Sequence, residues 1–362
     1  MILVVGAGIA GLSAALALAP FGDVVVVERR SDAAANAGAG IQLSPNAIKA
    51  LAAIGARETV AARASAPAGL TIRAAGRPAP LTRLDYGAMD ATFGAPYLTA
   101  SRADLAAGLL AAVAAQPAIT LRYDCALEAL EAAPGGGWRA AGLDATPDFV
   151  VVADGVGSPL RGQLIGDAPR ATPFVAWRGS AADEGSADTE LTMATGCHLV
   201  RYALANRRDN IVFITKGARH PATITAGPMA APLAAVTDWT PWPIRVRPRA
   251  RFALDRGVLI GDAAHAMPPF LAQGGAMAIE DAAVLGAMVT RHGLGATAAV
   301  AYEGERQARI NRLAAQTGRQ GGIYHLPVPL SLPRDMAMRR LGAAGILSRV
   351  GWIYGWQPPA AR

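Results

Sequence analysis

The sequence predicts an α/β protein with a Rossmann-like domain, an inserted β-rich domain and C-terminal helices. A strand–helix–strand pattern extends from Ile2 to Glu28, and this is the unit that builds a parallel sheet. Residues 173–251 instead alternate between apolar and polar positions, which is typical of strands. From Ala276 onward the apolar residues recur with helical spacing.

The predicted Rossmann-like domain begins with a strand over residues 2–5 and a helix over residues 10–19. Pro20 and Gly22 end that helix, because proline lacks an N–H donor and glycine readily leaves helical geometry. Four valines then predict a second buried strand, which finishes in Glu28. The same domain is predicted to use helices over residues 46–54 and 102–115, the latter capped by Ser101, and strands over residues 149–153 and 258–260.

The other elements belong to the inserted and C-terminal parts. A β-meander is predicted over residues 120–123, 127–132 and 138–142, with residues 134–137 as a turn. Strands over residues 174–178, 197–203 and 210–215 are assigned to the β-rich domain. Helices are predicted over residues 276–289, 298–316 and 334–347.

Domain boundaries follow from these changes of pattern. Residues 69–96 are short, irregular pieces rich in turn residues, which predicts a small β excursion out of the first domain. The predicted Rossmann-like domain is therefore discontinuous and comprises residues 1–70, 97–165 and 252–320. The β-rich domain takes residues 71–96 and 166–251, and a C-terminal helical segment takes residues 321–362.

Composition excludes several classes of protein. A net charge of +7 favours anionic partners, but the arginines are scattered, so no nucleic-acid partner is predicted. Two cysteines do not make a disulfide framework, and no metal site is predicted. Apolar stretches such as residues 106–115 fall short of the ~20 residues that a membrane span needs. With no signal peptide visible, the expected location is the cytoplasm.

A glycine-rich turn after the first strand predicts a dinucleotide site. Residues 6–11 (GAGIAG) fit G-x-G-x-x-G, in which the second glycine lets the backbone approach a pyrophosphate at a helix N-terminus. Glu28, at the end of the second strand, is placed to bind ribose hydroxyls and would repel a 2′-phosphate. The predicted contacts are Gly6, Gly8, Ile9, Ala10, Gly11, Glu28 and Arg29.

Two more glycine-containing turns follow strands later in the chain. Asp154-Gly155 comes after the strand at residues 149–153 and by itself is only a turn signal. Gly261-Asp262 ends the strand at residues 258–260, where a carboxylate can bind a polyol chain. The glycine pair at residues 274–275 then opens a helix whose N-terminus can face an electron-rich ring edge.

Together the three segments resemble the fingerprints of the class A flavoprotein aromatic hydroxylases, which have the p-hydroxybenzoate hydroxylase fold. The resemblance covers nearly the whole chain. Residues 40–47 (GIQLSPNA) and 177–179 (WRG) are most similar to the salicylate hydroxylase branch, which includes hydroxybenzoate and hydroxynicotinate hydroxylases. Ala276 departs from the many family members with asparagine there, although this branch often has a small residue.

The resemblance implies that the Rossmann-like domain binds FAD. It implies that Glu28 binds the adenosine ribose, that Arg102 lies near the pyrophosphate and ribityl chain, and that Asp262 holds the same region. Asp154 and Arg161 lie in a segment that the family links to both FAD and nicotinamide binding. Gln42 either contacts the flavin or lies in a solvated loop.

The same resemblance implies which residues contact the flavin ring and what reaction the flavin carries out. Gly274 and Gly275 are implied to present backbone N–H groups to the isoalloxazine edge, and Pro269 to wall the oxygen-reaction site. The resemblance further implies that NAD(P)H reduces FAD and that O2 then forms a flavin C4a-hydroperoxide, which hydroxylates an aromatic ring activated by a hydroxyl or amine. Since no second G-x-G-x-x-G segment is present, NAD(P)H is expected to bind transiently as a cosubstrate.

Candidates for the substrate pocket come mainly from one predicted strand. His198 and Tyr202 are four residues apart, so their side chains face the same side of a strand. We take His198 as the first candidate for the base and Tyr202 as the second, although a strand histidine can equally be structural. Gln273 is predicted to line the pocket beside the flavin. Arg201 or Arg178 is a candidate for pairing with a substrate carboxylate.

The predicted function is hydroxylation of a small phenolic or N-heteroaromatic compound by a monomer or homodimer. One alternative is a monooxygenase for a larger polyketide, quinone or antibiotic. Others are a flavin-binding protein without hydroxylase activity and a simple oxidase or dehydrogenase on the same fold. The intact glycines and aspartates of the three motifs argue against a degenerate binding protein.

Overall fold

The computed structural model describes residues 1–31, 40–134, 137–141, 143, 146–182 and 184–360. The strands are β1 Ile2–Val5, β2 Val24–Val27, β3 Gly40–Leu43, β4 Gly69–Ala74, β5 Thr82–Asp85, β6 Leu98–Ser101, β7 Ile119–Arg122, β8 Leu130–Ala132, β9 Trp138–Ala140, β10 Phe149–Val152, β11 Arg170–Ala182, β12 Asp188–Ala194, β13 Cys197–Ala203, β14 Arg208–Lys216, β15 Thr240–Val246, β16 Ala253–Leu254 and β17 Gly257–Leu259. The helices are α1 Ile9–Leu18, α2 Pro45–Ala53, α3 Arg57–Ala61, α4 Met89–Phe93, α5 Arg102–Ala114, α6 Pro159–Ile165, α7 Ala230–Ala234, α8 Gly261–His265, α9 Gly274–His292, α10 Ala296–Tyr324 and α11 Ser331–Tyr354.

A six-stranded sheet forms the centre of the Rossmann-like part, in the order β16-β17-β10-β1-β2-β7. β1 pairs in parallel with β2 and β10, so that Ile2 lies opposite both Val24 and Phe149. These strands are almost wholly apolar because helices cover both faces of such a sheet. The predicted strands at residues 2–5, 24–27 and 149–153 are confirmed within one residue.

The predicted β-meander is wrong. β7 does not pair with the next strand but lies parallel to β2 at the edge of the six-stranded sheet. Only β8 and β9 form a hairpin, and both are shorter than predicted. Residues 135, 136 and 142 of the predicted turn and strand lie outside the described residues. Local alternation cannot distinguish a strand that pairs with its neighbour from one that pairs with a distant strand.

The second sheet has seven strands in the order β15-β11-β14-β13-β12-β4-β5. β4 and β5 come from the excursion at residues 69–96 and join strands from the long insertion, with β4 parallel to β12. The other pairings are antiparallel. This mixed α/β architecture confirms the predicted fold class, while the domain boundaries stay a prediction.

Helices pack around the Rossmann-like part, and α11 contacts both α2 and β5 of the second sheet. α9 packs against α1, α2 and α10, and Gly286 of α9 lets Ala17 of α1 approach closely, since an added Cβ would lie 3.2 Å from the Ala17 carbonyl oxygen. α10 extends past the boundary placed at residue 320, and α11 is broken at Gly342, where φ is +58°. Among the described residues, no helix combines the length and apolar character needed to cross a membrane.

Candidate active site

A cavity of about 1380 Å³ lies between the carboxyl ends of the six-stranded sheet, the second sheet and the C-terminal helices. Ordinary small-molecule pockets span roughly 300–1,000 Å³, so this one has room for a large cofactor and a small substrate together. The predicted site residues that line it are Gly8, Ile9, Ala10, Gln42, Arg102, His198, Tyr202, Asp262, Pro269, Gly274 and Gly275.

The glycine-rich turn at residues 6–11 is closed on its protein side and open toward the cavity. Gly6 has a φ of +104°, and a Cβ there would lie 2.6 Å from the Ala153 carbonyl oxygen. A Cβ on Gly11 would lie 1.8 Å from the carbonyl oxygen of Gly6, so neither position tolerates a side chain. A Cβ on Gly8 would meet no atom within 4 Å. The backbone at Gly8 is therefore free for a ligand to approach the start of α1.

Glu28 is held against this turn. One carboxylate oxygen accepts a hydrogen bond from the Ala7 backbone N–H at 2.8 Å, and the other accepts from the Arg30 N–H at 3.0 Å. Neither Glu28 nor Arg29 lines the cavity, and Arg29 is exposed. Ribose binding by these two residues stays a prediction.

The second motif places a buried carboxylate beside the cavity. Both carboxylate oxygens of Asp154 are buried, and no residue in the described part of the chain gives them a hydrogen bond of ordinary geometry. Burial raises the pKa of this carboxyl. Gly155, with a φ of +87°, lines the cavity next to it. A buried polar group without a partner is costly, so this site favours a ligand that supplies donors.

Arg161 has a structural role that differs from the one implied by resemblance. Its guanidinium is fully buried, pairs with Asp167 at 2.6 Å and donates to the carbonyl oxygens of Ala263 and Ala264. It therefore anchors the second motif to the third and does not line the cavity.

A buried ion-pair network supports the third motif. Asp281 accepts hydrogen bonds from the Gly261 N–H at 2.8 Å and from Arg306 at 2.7 Å, and it lies 2.6 Å from His265 Nε2. Burial alone would raise the pKa of Asp281, but His265 and Arg306 outweigh it and lower the pKa to about 2. His265 therefore acts on the Gly261-Asp262 turn through Asp281, on the side away from the cavity. Asp262 lines the cavity.

This lowered pKa predicts an acid-dependent loss of stability. The Asp281 contribution is present above the ordinary carboxyl pKa and is lost as the pH falls toward the folded-state value of about 2. We expect Asp281→Asn to remove about 1 kcal/mol of the fall in unfolding free energy between pH 6 and pH 3, because the Asp281 contribution is only partly lost at pH 3. Urea unfolding at both pH values measures this fall. Asp90→Asn, at an exposed carboxylate, is the control and should leave the fall unchanged.

The start of α9 forms the wall where the flavin ring is expected. Gly274 and Gly275 line the cavity, and a Cβ on Gly274 would meet nothing within 4 Å, whereas one on Gly275 would lie 2.4 Å from Ile41. Gln273 does not line the cavity, contrary to the prediction. Its side chain donates to Ser44 at 2.9 Å and accepts from Asn46 at 3.0 Å, so it ties α9 to the start of α2.

The wall that the second sheet gives to the cavity is mostly apolar and carries His198 and Tyr202. Both lie on β13 and face the same side, as their spacing predicts. Burial lowers the pKa of His198 well below its usual value and raises the pKa of Tyr202. The apolar lining here includes Leu70, Ile72, Val200, Val212, Ile214 and Phe270.

Of the two arginines proposed to pair with a substrate carboxylate, Arg178 lines the cavity and Arg201 does not. Arg201 is satisfied by Asp209 and Glu184, each at 2.8 Å, and does not line the cavity. Arg178 lines it with its guanidinium over Trp242, 4.9 Å from the ring centroid. Burial lowers the pKa of Arg178 to about 10, so it stays charged at neutral pH.

Sequence reasoning missed two contacts that shape the site. Gln42 lines the cavity and accepts a hydrogen bond from the Tyr97 hydroxyl at 2.6 Å. His325, just after α10, lies 2.8 Å from His198. No sequence pattern reveals these contacts, because Tyr97 and His325 are each distant in sequence from the residue that they contact.

The residues present fit FAD. The exposed backbone at Gly8 and Gly274 leaves space that a Cβ would fill, and Asp154 lacks a hydrogen-bond donor that the described protein supplies. The cavity volume exceeds that of one small ligand. These three observations are independent of one another and are all expected where a dinucleotide binds.

Comparisons with known proteins agree with this geometry. The family model described as FAD binding domain matches residues 1–229 and 225–317. The 3-hydroxybenzoate 6-hydroxylase of Klebsiella oxytoca is 28% identical, with 98% of this chain and 96% of that protein covered. The 3-amino-4-hydroxybenzoate 2-monooxygenase of Streptomyces cremeus is 31% identical, with 98% and 94% covered.

A solved structure supports the fold. The structure of Klebsiella pneumoniae HpxO complexed with FAD and uric acid has a TM-score of 0.83 and 23% identity, with 96% of this chain and 95% of that chain covered. The family match spans most of the sequence, and the relatives align from end to end. The chain belongs to the FAD binding domain family and, within it, to the class A flavoprotein aromatic hydroxylases.

Proposed function

We propose that this enzyme is an NAD(P)H-using monooxygenase that hydroxylates a small phenolic carboxylate of the hydroxybenzoate class. One observation carries the proposal: a single cavity joins the FAD-type turns to a mostly apolar wall on which His198 and the half-buried Arg178 lie. Both relatives described above are named for hydroxybenzoate substrates. An N-heteroaromatic substrate is the second candidate, because the HpxO structure contains uric acid.

The cofactor end of the cavity is expected to position FAD and to stabilise its negative charges. Bound FAD supplies the redox chemistry, accepting a hydride from NAD(P)H and activating O2. The Gly8 backbone and the start of α1 hold the pyrophosphate, and Arg102 adds a positive charge on the same wall. We expect the N–H groups of Gly274 and Gly275, which line the cavity, to stabilise negative charge on the ring edge. Pro269 closes the wall next to them.

The substrate end of the cavity is expected to exclude water and to hold the base that accepts a proton from the substrate. Apolar side chains from the second sheet surround an aromatic ring and keep water out, which favours transfer of oxygen to the ring over wasteful decay. His198 is uncharged at neutral pH because burial lowers its pKa, so it can accept the proton of a substrate hydroxyl. Tyr202 stays protonated because burial raises its pKa, so it acts as a hydrogen-bond donor.

Arg178 is proposed to bind the substrate carboxylate. We expect Arg178→Gln to raise KM for a hydroxybenzoate about tenfold to a hundredfold, because a charge-assisted hydrogen bond in a buried site is lost. KM for an unsubstituted phenol should change much less. Steady-state kinetics with both compounds measure the difference. Equal loss for both compounds would show that Arg178 acts on the flavin or the fold instead.

A substrate screen tests the proposed function against its rivals. We expect one of a set of hydroxybenzoates, hydroxynicotinates and phenols to stimulate NADH or NADPH oxidation and to yield a hydroxylated product. Stimulation only by a larger polyketide or quinone would favour the rival substrate class. No stimulation by any compound would favour a binding protein. An oxidase would oxidise its substrate without adding oxygen.

The working form of the enzyme is also a proposal. We propose a cytoplasmic monomer or homodimer. Cys125 and Cys197, the cysteines of the chain, are both free thiols, which suits a reducing compartment. Size-exclusion chromatography with light scattering determines the oligomeric state.

A further inference from the structure

A second, half-buried histidine contacts His198. His198 Nδ1 lies 2.8 Å from His325 Nε2, and the two ring centroids are 5.0 Å apart. His198 lines the cavity, whereas His325 does not, although its neighbours Tyr324 and Leu326 do. The cavity side of the pair is therefore His198, and His325 contacts it from the protein side.

The position of His325 is fixed by its surroundings. Its backbone carbonyl accepts a hydrogen bond from the Gly196 N–H at 3.2 Å, which ties the end of α10 to the turn before β13. Phe270 packs against both histidine rings, with centroids 5.7 Å from His198 and 5.8 Å from His325. Phe174 packs on His325 at 5.4 Å. The pair therefore sits in an aromatic enclosure with little freedom to reorient.

This geometry constrains which nitrogen of His198 faces the substrate as a base. A neutral imidazole has one N–H and one bare nitrogen. For Nε2 to accept a proton, the hydrogen of His198 must reside on Nδ1 and needs an acceptor there. His325 Nε2 is at hydrogen-bond distance from that hydrogen, and no other partner of His198 Nδ1 is seen among the described residues.

We propose that His325 is a positioning residue that holds His198 in the Nδ1–H form, so that Nε2 is the base for the substrate hydroxyl. In the proton transfer, the substrate O–H bond breaks and an Nε2–H bond forms on His198. The Nδ1–H of His198 can then be shared with His325 Nε2, so the positive charge spreads over the pair while the substrate oxygen becomes negative. This role rests on the proposed function, because it presumes a hydroxylated aromatic substrate.

His325 is a neutral side chain at this position and has a single polar contact. Burial lowers the pKa of His325 to about 4, so at neutral pH it carries no charge and can accept a hydrogen bond. The Nδ1 of His325 is buried and has no hydrogen-bond partner in the described part of the chain, so His198 is its ring's one polar contact there. A histidine ring with a single polar partner is expected to depend on that partner for its orientation.

The tautomer of His198 is measurable without turnover. The protein is prepared with FAD and ¹⁵N-labelled histidine rings, and the sequence contains five histidines to assign by single variants. We expect long-range ¹H–¹⁵N spectra of the wild type to show His198 with Nδ1 protonated and Nε2 bare. His325→Gln should retain this pattern, because its amide oxygen can replace Nε2 as acceptor. His325→Leu should lose it.

Kinetics with the most stimulating aromatic supply the second readout. We expect His325→Leu to lower kcat/KM about tenfold to a hundredfold, part of the effect of a general base, while His325→Gln stays within about threefold of wild type. His292→Gln, at the protein surface, is the matched control and should change neither readout. If His325→Leu does not fold, His325→Phe provides the same loss of an acceptor.

The outcomes separate this inference from the proposed function. An Nε2–H form of His198 in the wild type, or an unchanged spectrum and rate in both variants lacking the acceptor, would overturn the role of His325. If no aromatic stimulates the wild type, the proposed function fails, and the proton-transfer role of the pair fails with it. The tautomer assignment would still report whether His325 orients His198.

Discussion

Replacing Gly8 with alanine is expected to weaken FAD binding about a hundredfold, or about 2.7 kcal/mol, while the apoprotein keeps its stability. The added methyl would meet no protein atom within 4 Å, so folding is not obstructed. It would instead project into the space where the pyrophosphate approaches the start of α1. Fluorescence titration of the apoprotein with FAD measures the affinity, and thermal unfolding of the apoprotein measures stability.

Gly318→Ala is the matched control for this variant. Gly318 lies in α10, has equally open surroundings and does not line the cavity. Alanine is favoured over glycine within a helix by about 1 kcal/mol, so a slight stabilisation with unchanged FAD affinity is expected. If Gly8→Ala bound FAD as tightly as wild type, the turn at residues 6–11 would not be the pyrophosphate site.

Replacing Arg306 with methionine is expected to cost about 3–5 kcal/mol of unfolding free energy, the largest stability effect that the structure predicts. Arg306 is fully buried and pairs with Asp281 at 2.7 Å and with Glu280 at 2.8 Å. Methionine fills much of the volume but leaves the carboxylates with fewer positive partners. Urea unfolding at neutral pH, with and without FAD, measures the loss.

A double variant identifies the cause of this loss. Arg306→Met combined with Asp281→Asn should recover part of the stability, because one uncompensated buried charge is removed. Arg83→Ala, which breaks the more exposed pair with Asp188, should cost much less stability than Arg306→Met. A loss below about 1 kcal/mol for Arg306→Met would mean that the network does not support the Gly261-Asp262 turn energetically.

The fold was predictable wherever the signal was local. The turn at residues 6–11 was predictable from its own glycines, because Gly6 has a positive φ and a Cβ on Gly11 would meet the carbonyl oxygen of Gly6. The Ser101 cap of α5 was likewise predictable, since its hydroxyl accepts from the Asp104 N–H three residues later. Pairing between distant strands was not, and β7 was therefore assigned to the wrong neighbours.

The site, like the fold, was predictable where the signal was local and not where the contact joins distant parts of the sequence. The spacing of His198 and Tyr202 places both on one face of β13, which the cavity lining confirms. His325 is 127 residues from His198, and only the packing of α10 against the second sheet brings them together. Gln273 stands next to the lining residue Gly274, yet its amide is taken by Ser44 and Asn46, which are more than 200 residues away in sequence. Adjacent positions in a motif can therefore face opposite ways.

Incorporation of labelled oxygen tests the central claim most directly, because it follows the oxygen atom into the product. The FAD-loaded enzyme is supplied with NADH or NADPH, with ¹⁸O2 and with the aromatic that stimulates oxidation most, and the product is analysed by mass spectrometry. We predict a hydroxylated ring carrying one ¹⁸O atom, formed in step with oxidation of the nicotinamide. Faster oxidation without labelled product, or label that derives from water, would contradict the account.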